Sequence, residues 1–432
     1  MNTVVVKPEH PGGLLKAAEH LFLLYIFLIP FSLLFSFRLE GARVQFIDAI
    51  FLISALLWVL ALSMKAAHFR ASRLYAFVGL YLAAMSLSAL LSTDPQRSLV
   101  KLVGVYYLAA LAFLTFNLCQ GNGFARRALL AFLVGASVTG IGTIVAVAGF
   151  YLNWEFTRPM LSHYGSLPVG NYPRVRSLFE NANMAANYLN VTVAAIIATL
   201  RNGCIKLPLG IAAGLLAGVA ALFTISPGIG GAVLTLGLLF WALTKNERPI
   251  IARCALWLSI AFATAVLIST TLSPGLISAS RTNVEPAYSI RVQVWMNTLE
   301  RALEYPLFGR GTGTNAAEVS FVAPSGQKQF LTDAHNAWLN ILGQSGIIGL
   351  IAFSLFCAYC WSICRFRFET PDSEQIILST ASCGLVGALF YQNLFGSYED
   401  ARHLWVWIGF IAAAHRRVEL NRQIANAAEE VR

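Results

Sequence analysis

The chain has 432 residues, 57% hydrophobic and only 12% charged, with a mean hydropathy of +0.64. So little charge cannot cover a soluble protein of this size, and the apolar residues fall in runs of about twenty, which indicates an all-α polytopic membrane protein. The formal net charge of +10 follows from lysine and arginine collecting in cytoplasmic loops and gives no argument for a nucleic-acid partner.

In chain order, runs of spanning length fall near 20–37, 44–64, 74–92, 99–119, 128–152, 183–200, 207–225, 228–244, 250–272, 337–363, 374–395 and 404–415. They predict about 12 transmembrane helices. The first is followed at once by Arg38, Glu40 and Arg43 with no small-residue cleavage site, so it is expected to be retained rather than cleaved as a signal. Most of the 31 lysines and arginines lie in the short connections on the side of the N-terminus, which places both termini in the cytoplasm. The seven cysteines fall in apolar segments or on that side, and no disulfide is expected. Cys357-x-x-Cys360 has redox-motif spacing but reads as helix packing in its apolar run. Gly210, Gly214 and Gly218 on the seventh helix suggest close helix packing. Asn190-Val-Thr192 matches a glycosylation sequon but lies within a span. The charged residues after His415 are expected to form a frayed cytoplasmic helix.

Two long outer segments hold the remaining basic residues: Arg158, Arg174 and Arg176 in one, Arg281, Arg291, Arg301, Arg310 and Lys328 in the other. Singly, each fits a solvated loop; as a set they suggest an anionic ligand. In the first, Arg174-Val-Arg176-Ser-Leu178 precedes Asn181 and Asn183, either of which can cap the sixth helix and leave its positive dipole end facing outward. Guanidinium forks nearby match phosphate oxygens. In the second, Ser289 is a candidate N-cap for a helix whose apolar positions Val292, Trp295, Met296, Leu299, Ala302 and Leu303 are expected to face the bundle. Arg291 sits in its first turn, where a cation costs a few tenths of a kcal/mol, and that favours a binding role. Pro306-Leu-Phe-Gly309-Arg-Gly311-Thr-Gly313 is expected to be a turn rather than a phosphate loop, because no strand precedes it.

Of the seven histidines, His163, His335 and His403 face outward. None has a ligand partner at metal-binding spacing beyond the weak Asp333-x-His335, and no Asp-x-Asp pair is present, so no metal site is expected. His335 reads either as a residue at the mouth of a membrane helix or as a general base, since imidazole can take a proton from a hydroxyl near neutral pH.

His335-Asn336, nine further residues, Gly346, two residues and Gly349 resemble the O-antigen ligase pattern of His, then Asn, Ser or Gln, nine positions, Gly, two positions, then Gly, Thr or Tyr. Arg174 to Leu178 resembles the Arg-x-x-x-Leu motif of that family. The stretch from Arg291 to Gly311, with Trp295, Pro306 and Gly309, looks like the start of its large periplasmic loop. The resemblance spans about residues 170 to 415. One departure is Ser226-Pro227-Gly228, where the superfamily often has Ser-Arg-Gly; the arginine's role is absent or taken over by another residue, with Arg176 a candidate.

The resemblance implies a GT-C-like, metal-independent inverting glycosyltransferase of lipopolysaccharide synthesis, without cofactor. It would move a glycan from undecaprenyl diphosphate to lipid A–core on the periplasmic side of the bacterial inner membrane. Its partners would be that donor, that acceptor and membrane lipids. Arg174, Arg176 and Arg291 would bind the diphosphate, His335 would deprotonate the acceptor, and Asp333 or Asn336 would orient the imidazole. Residues 1–272 would then carry helices one to nine with a periplasmic loop at about 153–182. Residues 273–336 would form the large periplasmic loop, 337–415 helices ten to twelve, and 416–432 a cytoplasmic tail. O-antigen polymerases and protein O-oligosaccharyltransferases use the same donor, and the nine-residue spacing favours the ligase. A lipid-linked sugar flippase or other transporter would bury ionisable groups at mid-membrane, whereas Asp48 and Lys101 lie near segment ends.

Overall fold

In a computed structural model of the chain, residues 12–33, 36–39, 42–162, 172–272, 290–322, 328–366, 373–395 and 401–430 are described. They form a helical bundle. The helices are α1 (Gly13–Leu28), α2 (Phe46–Ser63), α3 (Arg73–Leu90), α4 (Pro95–Leu118), α5 (Asn122–Tyr151), α6 (Ala182–Arg201), α7 (Leu207–Phe223), α8 (Gly228–Thr244), α9 (Pro249–Leu272), α10 (Ile290–Glu304), α11 (Ala337–Ile363), α12 (Ser373–Phe395) and α13 (Arg402–Glu430). Two short antiparallel hairpins, β1–β2 (Ser36–Leu39 with Ala42–Gln45) and β3–β4 (Val319–Val322 with Lys328–Leu331), lie between helices.

Every apolar run expected from the sequence is matched by a helix. Among the described residues nine helical stretches are long and apolar enough to cross a membrane, and the chain is a multi-pass membrane protein. The expected 12 exceeds that number for physical reasons. At 17 residues each, α7 and α8 extend only about 26 Å, short of a hydrocarbon core of about 30 Å. The 404–415 run is the buried first part of α13, which continues unbroken through the charged Arg416 and Arg417 to Glu430 rather than fraying.

The centre of the bundle is built from α6, α12 and the start of α13. Some 72% of the apolar window of α6 and of α12 is buried, against 17% of α9, which faces outward. Alanines 185, 186, 194, 195 and 198 let α6 approach α5, α7, α8 and α12 closely. Between α8 and α12 the approach is backbone to backbone: a Cβ on Gly231 would lie 2.6 Å from the Gly387 carbonyl oxygen. The glycines of α7 behave otherwise than expected. Gly210 meets Leu200, but a Cβ on Gly214 or Gly218 would enter open space; the packing face is instead Ala213, Ala217 and Ala220.

The buried face of α10 also differs from the expected one. Val294, Thr298 and Ala302 are buried, while Met296, Leu299 and Leu303 are about half or more exposed. Small side chains let α10 lie close against α11 and β3, and the bulky ones are left on the outer side. The expected N-cap Ser289 lies outside the described residues, as do His163 and Arg281. All seven cysteines are free, and Cys360 is buried in the apolar core.

Asp48 is not a lone charge in an apolar run. It closes a capping box with Gln45 at the start of α2, accepts from Tyr107 Oη at 2.7 Å, and receives Nε and Nη2 of Arg402, at the start of α13, at 3.2 Å each. With the two side chains 12% and 14% exposed, removing one partner strands the other. Asp48→Ala is expected to cost about 3–5 kcal/mol, seen as a lower thermal unfolding midpoint in detergent. Replacing Asp48 and Arg402 together by leucine should restore most of that loss.

Candidate functional site

The turn that carries His335 follows β4 and is fixed by its own side chains. Asp333 Oδ1 accepts from the His335 backbone N–H at 2.6 Å, an Asx turn. Asn336 caps α11, accepting from the backbone N–H groups of Trp338 and Leu339 at 3.0 and 3.2 Å. Asn340, one turn into the helix, reaches back: its Oδ1 accepts from Ala334 N and its Nδ2 donates to Asp333 Oδ2. Thus held, His335 has a φ of +48°, a left-handed conformation that costs a non-glycine residue about 1 kcal/mol or more. Its side chain is 45% exposed, with Nδ1 3.9 Å from Asp333 Oδ1. That is beyond direct hydrogen-bond reach, and the hydrogen bond Asp333 makes to His335 is to its backbone N–H.

Helix α10 is clamped to this turn by Trp295, whose indole N–H donates to the Ala334 carbonyl at 2.9 Å. Val294, Ala317 and Ala334 close a small apolar cluster beneath it. Arg291 lies one turn before Trp295 on the same helix face, about 6 Å along the axis. Burial holds its guanidinium below the ordinary pKa; Tyr391 on α12 pulls the other way, and the positive charge of Arg174 adds to the lowering. Tyr391, fully buried, in turn feels both arginines. The first outer segment and the second are therefore within electrostatic reach of one another through Arg174, Arg291 and Tyr391.

Arg174 is positioned by the ends of two helices. Its Nε donates to the Thr224 carbonyl at 3.2 Å and its Nη2 to Asn183 Oδ1 at 3.1 Å. Asn183 also accepts from the Ser226 hydroxyl at 2.9 Å, and that hydroxyl lies 3.4 Å from Tyr391 Oη. Of the two candidate caps of α6, Asn181 takes the role, accepting from Met184 N at 2.7 Å, which leaves Asn183 for Arg174. Arg176 faces the other way. Its Nε and Nη1 donate to the carbonyls of Pro159 and Glu180, each at 2.8 Å. At the turn where Pro227 stands, the guanidinium in contact is therefore that of Arg174.

Several other basic residues are locally matched. Arg158 pairs with Glu155, Arg301 with Glu318 and Arg310 with Glu304, and Lys328 lies over the ring of Phe330. His403 is buried against Tyr188, ring centroids 5.8 Å apart. Among the described residues no group of three or more His, Cys, Asp or Glu side chains could hold a metal ion.

The Pro306–Gly313 segment is a turn, and it mends a break in α11. At Gly346 the backbone leaves the helix, φ 61° and ψ −162°. The freed Ile347 N–H donates to the Pro306 carbonyl at 2.9 Å and that of Ile348 to Leu307 at 3.3 Å, while the N–H groups of Arg310 and Gly311 donate to the carbonyls of Gly343 and Gln344. A Cβ on Gly346 would sit 2.4 Å from the Leu307 carbonyl. The glycine is thus demanded by conformation and by contact.

Residues 212–354 match the family model described as O-antigen ligase. Over that stretch the chain is similar to O-antigen ligases. No curated protein matches it. The matched stretch holds Arg291, Trp295, His335, Gly346 and Gly349, while Arg174 and Arg176 fall outside it; the fold brings Arg174 within electrostatic reach of Arg291, and Arg176 turns to Pro159 and Glu180. Ser226, Tyr391 and Asn340 were not singled out from the sequence. Ser226 alone had a signal, as the first residue of the departed Ser-Arg-Gly pattern.

Gly346→Val should strain the backbone by about 1–3 kcal/mol and displace the Pro306–Gly311 turn. The expected outcome is a lower unfolding midpoint and faster proteolysis within 290–336 at unchanged helical content, measured by limited proteolysis and circular dichroism in detergent.

Proposed function

We propose that the protein is an O-antigen ligase, a metal-independent inverting glycosyltransferase that moves a glycan from undecaprenyl diphosphate to lipid A–core. The observation that carries this reading is the joint made by Trp295 with the Ala334 carbonyl. It ties the turn of His335 to the helix of Arg291, and Arg291 feels the charge of Arg174. A partly exposed imidazole and a pair of guanidinium groups on one side of the bundle are the parts needed to deprotonate a hydroxyl and to hold a diphosphate leaving group.

In this mechanism Arg174 and Arg291 bind the diphosphate, and Arg176, expected from the sequence to join them, instead latches the loop that carries Arg174. His335 takes the proton of the acceptor hydroxyl. The oxygen attacks the anomeric carbon on the face opposite the diphosphate, the glycosidic bond to phosphate breaks as the new one forms, and the configuration inverts in one step. Asp333 and Asn336 set the direction of the imidazole through the turn they hold. The polyprenyl tail stays among the helices, because each exposed CH₂ would cost about 0.8 kcal/mol. The same reading gives 12 spans in the inner membrane, both termini in the cytoplasm and the site on the periplasmic face.

The test is glycan transfer by purified protein supplied with lipid-linked O-antigen and lipid A–core in EDTA. Wild type should transfer, and His335→Ala should lower the rate by about 10²–10⁴ with an unchanged unfolding midpoint. Near-normal transfer by the variant would make His335 structural, and a lengthened lipid-linked glycan in place of ligated product would make the enzyme a polymerase. In the same assay Arg291→Lys should fall well short of wild type, since an ammonium cannot reproduce the two-pronged grip of guanidinium on phosphate.

A further inference from the structure

Donor binding and proton transfer leave unused a built cleft at the outer end of α5. There Asn153 reverses the chain with φ +57°, Trp154 N donates to the Gly149 carbonyl at 2.8 Å, and a 3-10 helix, Glu155–Met160, folds back over the helix end. The cleft between them has a volume of about 540 Å³ and is lined by Phe150, Tyr151, Asn153, Trp154, Thr157 and Arg158 among others. Its floor is closely packed: a Cβ on Gly149 would lie 2.2 Å from Thr157 Oγ1, and that buried hydroxyl donates to the Trp154 carbonyl at 2.7 Å.

Trp154 stacks on Phe156 with centroids 5.6 Å apart and planes at 20°, and both rings are well exposed. Arg158 is 74% exposed and only 3.5 Å from Glu155, a solvated pair that exchanges readily for a ligand. A flat indole, a phenol, an amide and a loosely held guanidinium around a concave space suit a sugar ring. The indole takes its C–H face, and the polar groups take its hydroxyls and any anionic substituent.

The end of the 3-10 helix that folds over the cleft is hydrogen-bonded to the arginine segment. Arg176 N and Ser177 N donate to the Met160 carbonyl, Ser162 N to the Arg174 carbonyl, and Arg176 Nε to the Pro159 carbonyl. The height of the cleft also suits a saccharide on a lipid. With Arg126 and Arg127 at the inner boundary, α5 carries Tyr151 about 36 Å away, beyond a hydrocarbon core of about 30 Å. Tyr151 and Trp154 line the cleft together with Asn153 and Arg158, a mixture of apolar faces and polar groups that a bilayer anchor alone does not need.

We infer that this cleft binds the saccharide of the acceptor, with Trp154 as its stacking platform and Arg158 facing anionic groups on the sugars. The inference rests on the ligase reading for the identity of the ligand. The experiment is calorimetric titration of the detergent-solubilised protein with deacylated lipid A–core oligosaccharide, which has no acyl chain to enter the micelle. Wild type should bind, Trp154→Ala at least 10-fold more weakly, and Trp154→Phe within about 3-fold of wild type because an aromatic face remains. Unfolding midpoints of the variants establish that Trp154→Ala is folded. Equal binding by wild type and a folded Trp154→Ala would overturn the inference. So would an absence of binding to wild type, whether or not brominated lipids in nanodiscs quench a Trp154-dependent fluorescence and mark the patch as a bilayer anchor. Transfer is measured separately. A wild type that binds the oligosaccharide through Trp154 but transfers no glycan would overturn the ligase reading and leave the saccharide site standing.

Discussion

Two guanidinium groups from distant parts of the chain are held near one another in a partly buried place, and much of the structure serves that arrangement. Burial and like charge both disfavour it. The compensation is local and specific: the Thr224 carbonyl at the end of α7, Asn183 at the start of α6, and a tyrosine drawn from α12. Such an arrangement is unfavourable for the protein alone, and in the proposed mechanism the charge of the diphosphate would relieve the repulsion.

Holding the second arginine requires the break in α11. A straight helix through Gly346 would leave the segment after α10 with nowhere to bond. Bent there, it exposes N–H and C=O groups that the Pro306–Gly311 turn satisfies one for one. The final glycine of the His-containing pattern fits the same account, since a Cβ on Gly349 would lie 2.4 Å from Ser345 Cβ and 3.1 Å from Met85 Cε. The pattern thus joins one histidine facing outward to a joint that holds its surroundings together.

Helix positions were legible in the sequence because an apolar run of spanning length must satisfy its own backbone groups away from water, and a helix does so within one segment. The boundaries of α8 and α11 coincide with their apolar runs. Which face of a helix is buried was less legible. On α10 and α7 the apolar stripe by residue type was not the packed one, because close approach selects small side chains such as Thr298 and Ala217 over bulky ones. Of the site, Arg174, Arg291 and His335 could be found from position in the chain and from resemblance. Tyr391 could not, since a tyrosine inside a span looks like any other core residue until its neighbours are known. The division of labour between Arg174 and Arg176 was hidden as well: although only two residues apart, they reach different partners, Arg174 the end of α7 and Arg176 the carbonyl of Pro159.

The turn between α7 and α8 is where Arg174 is fastened, and both helices are short. In the proposed orientation, a hairpin of two 17-residue helices rooted at the inner boundary stops some 4 Å below the outer edge of the hydrocarbon, about 26 Å against about 30 Å. Such hydrophobic mismatch is relieved by local thinning of the bilayer. The outer leaflet would dimple at the point where a lipid headgroup has to reach the arginines. A polyprenyl diphosphate could then settle into the site by moving along the membrane plane, and the protein would not have to lift it.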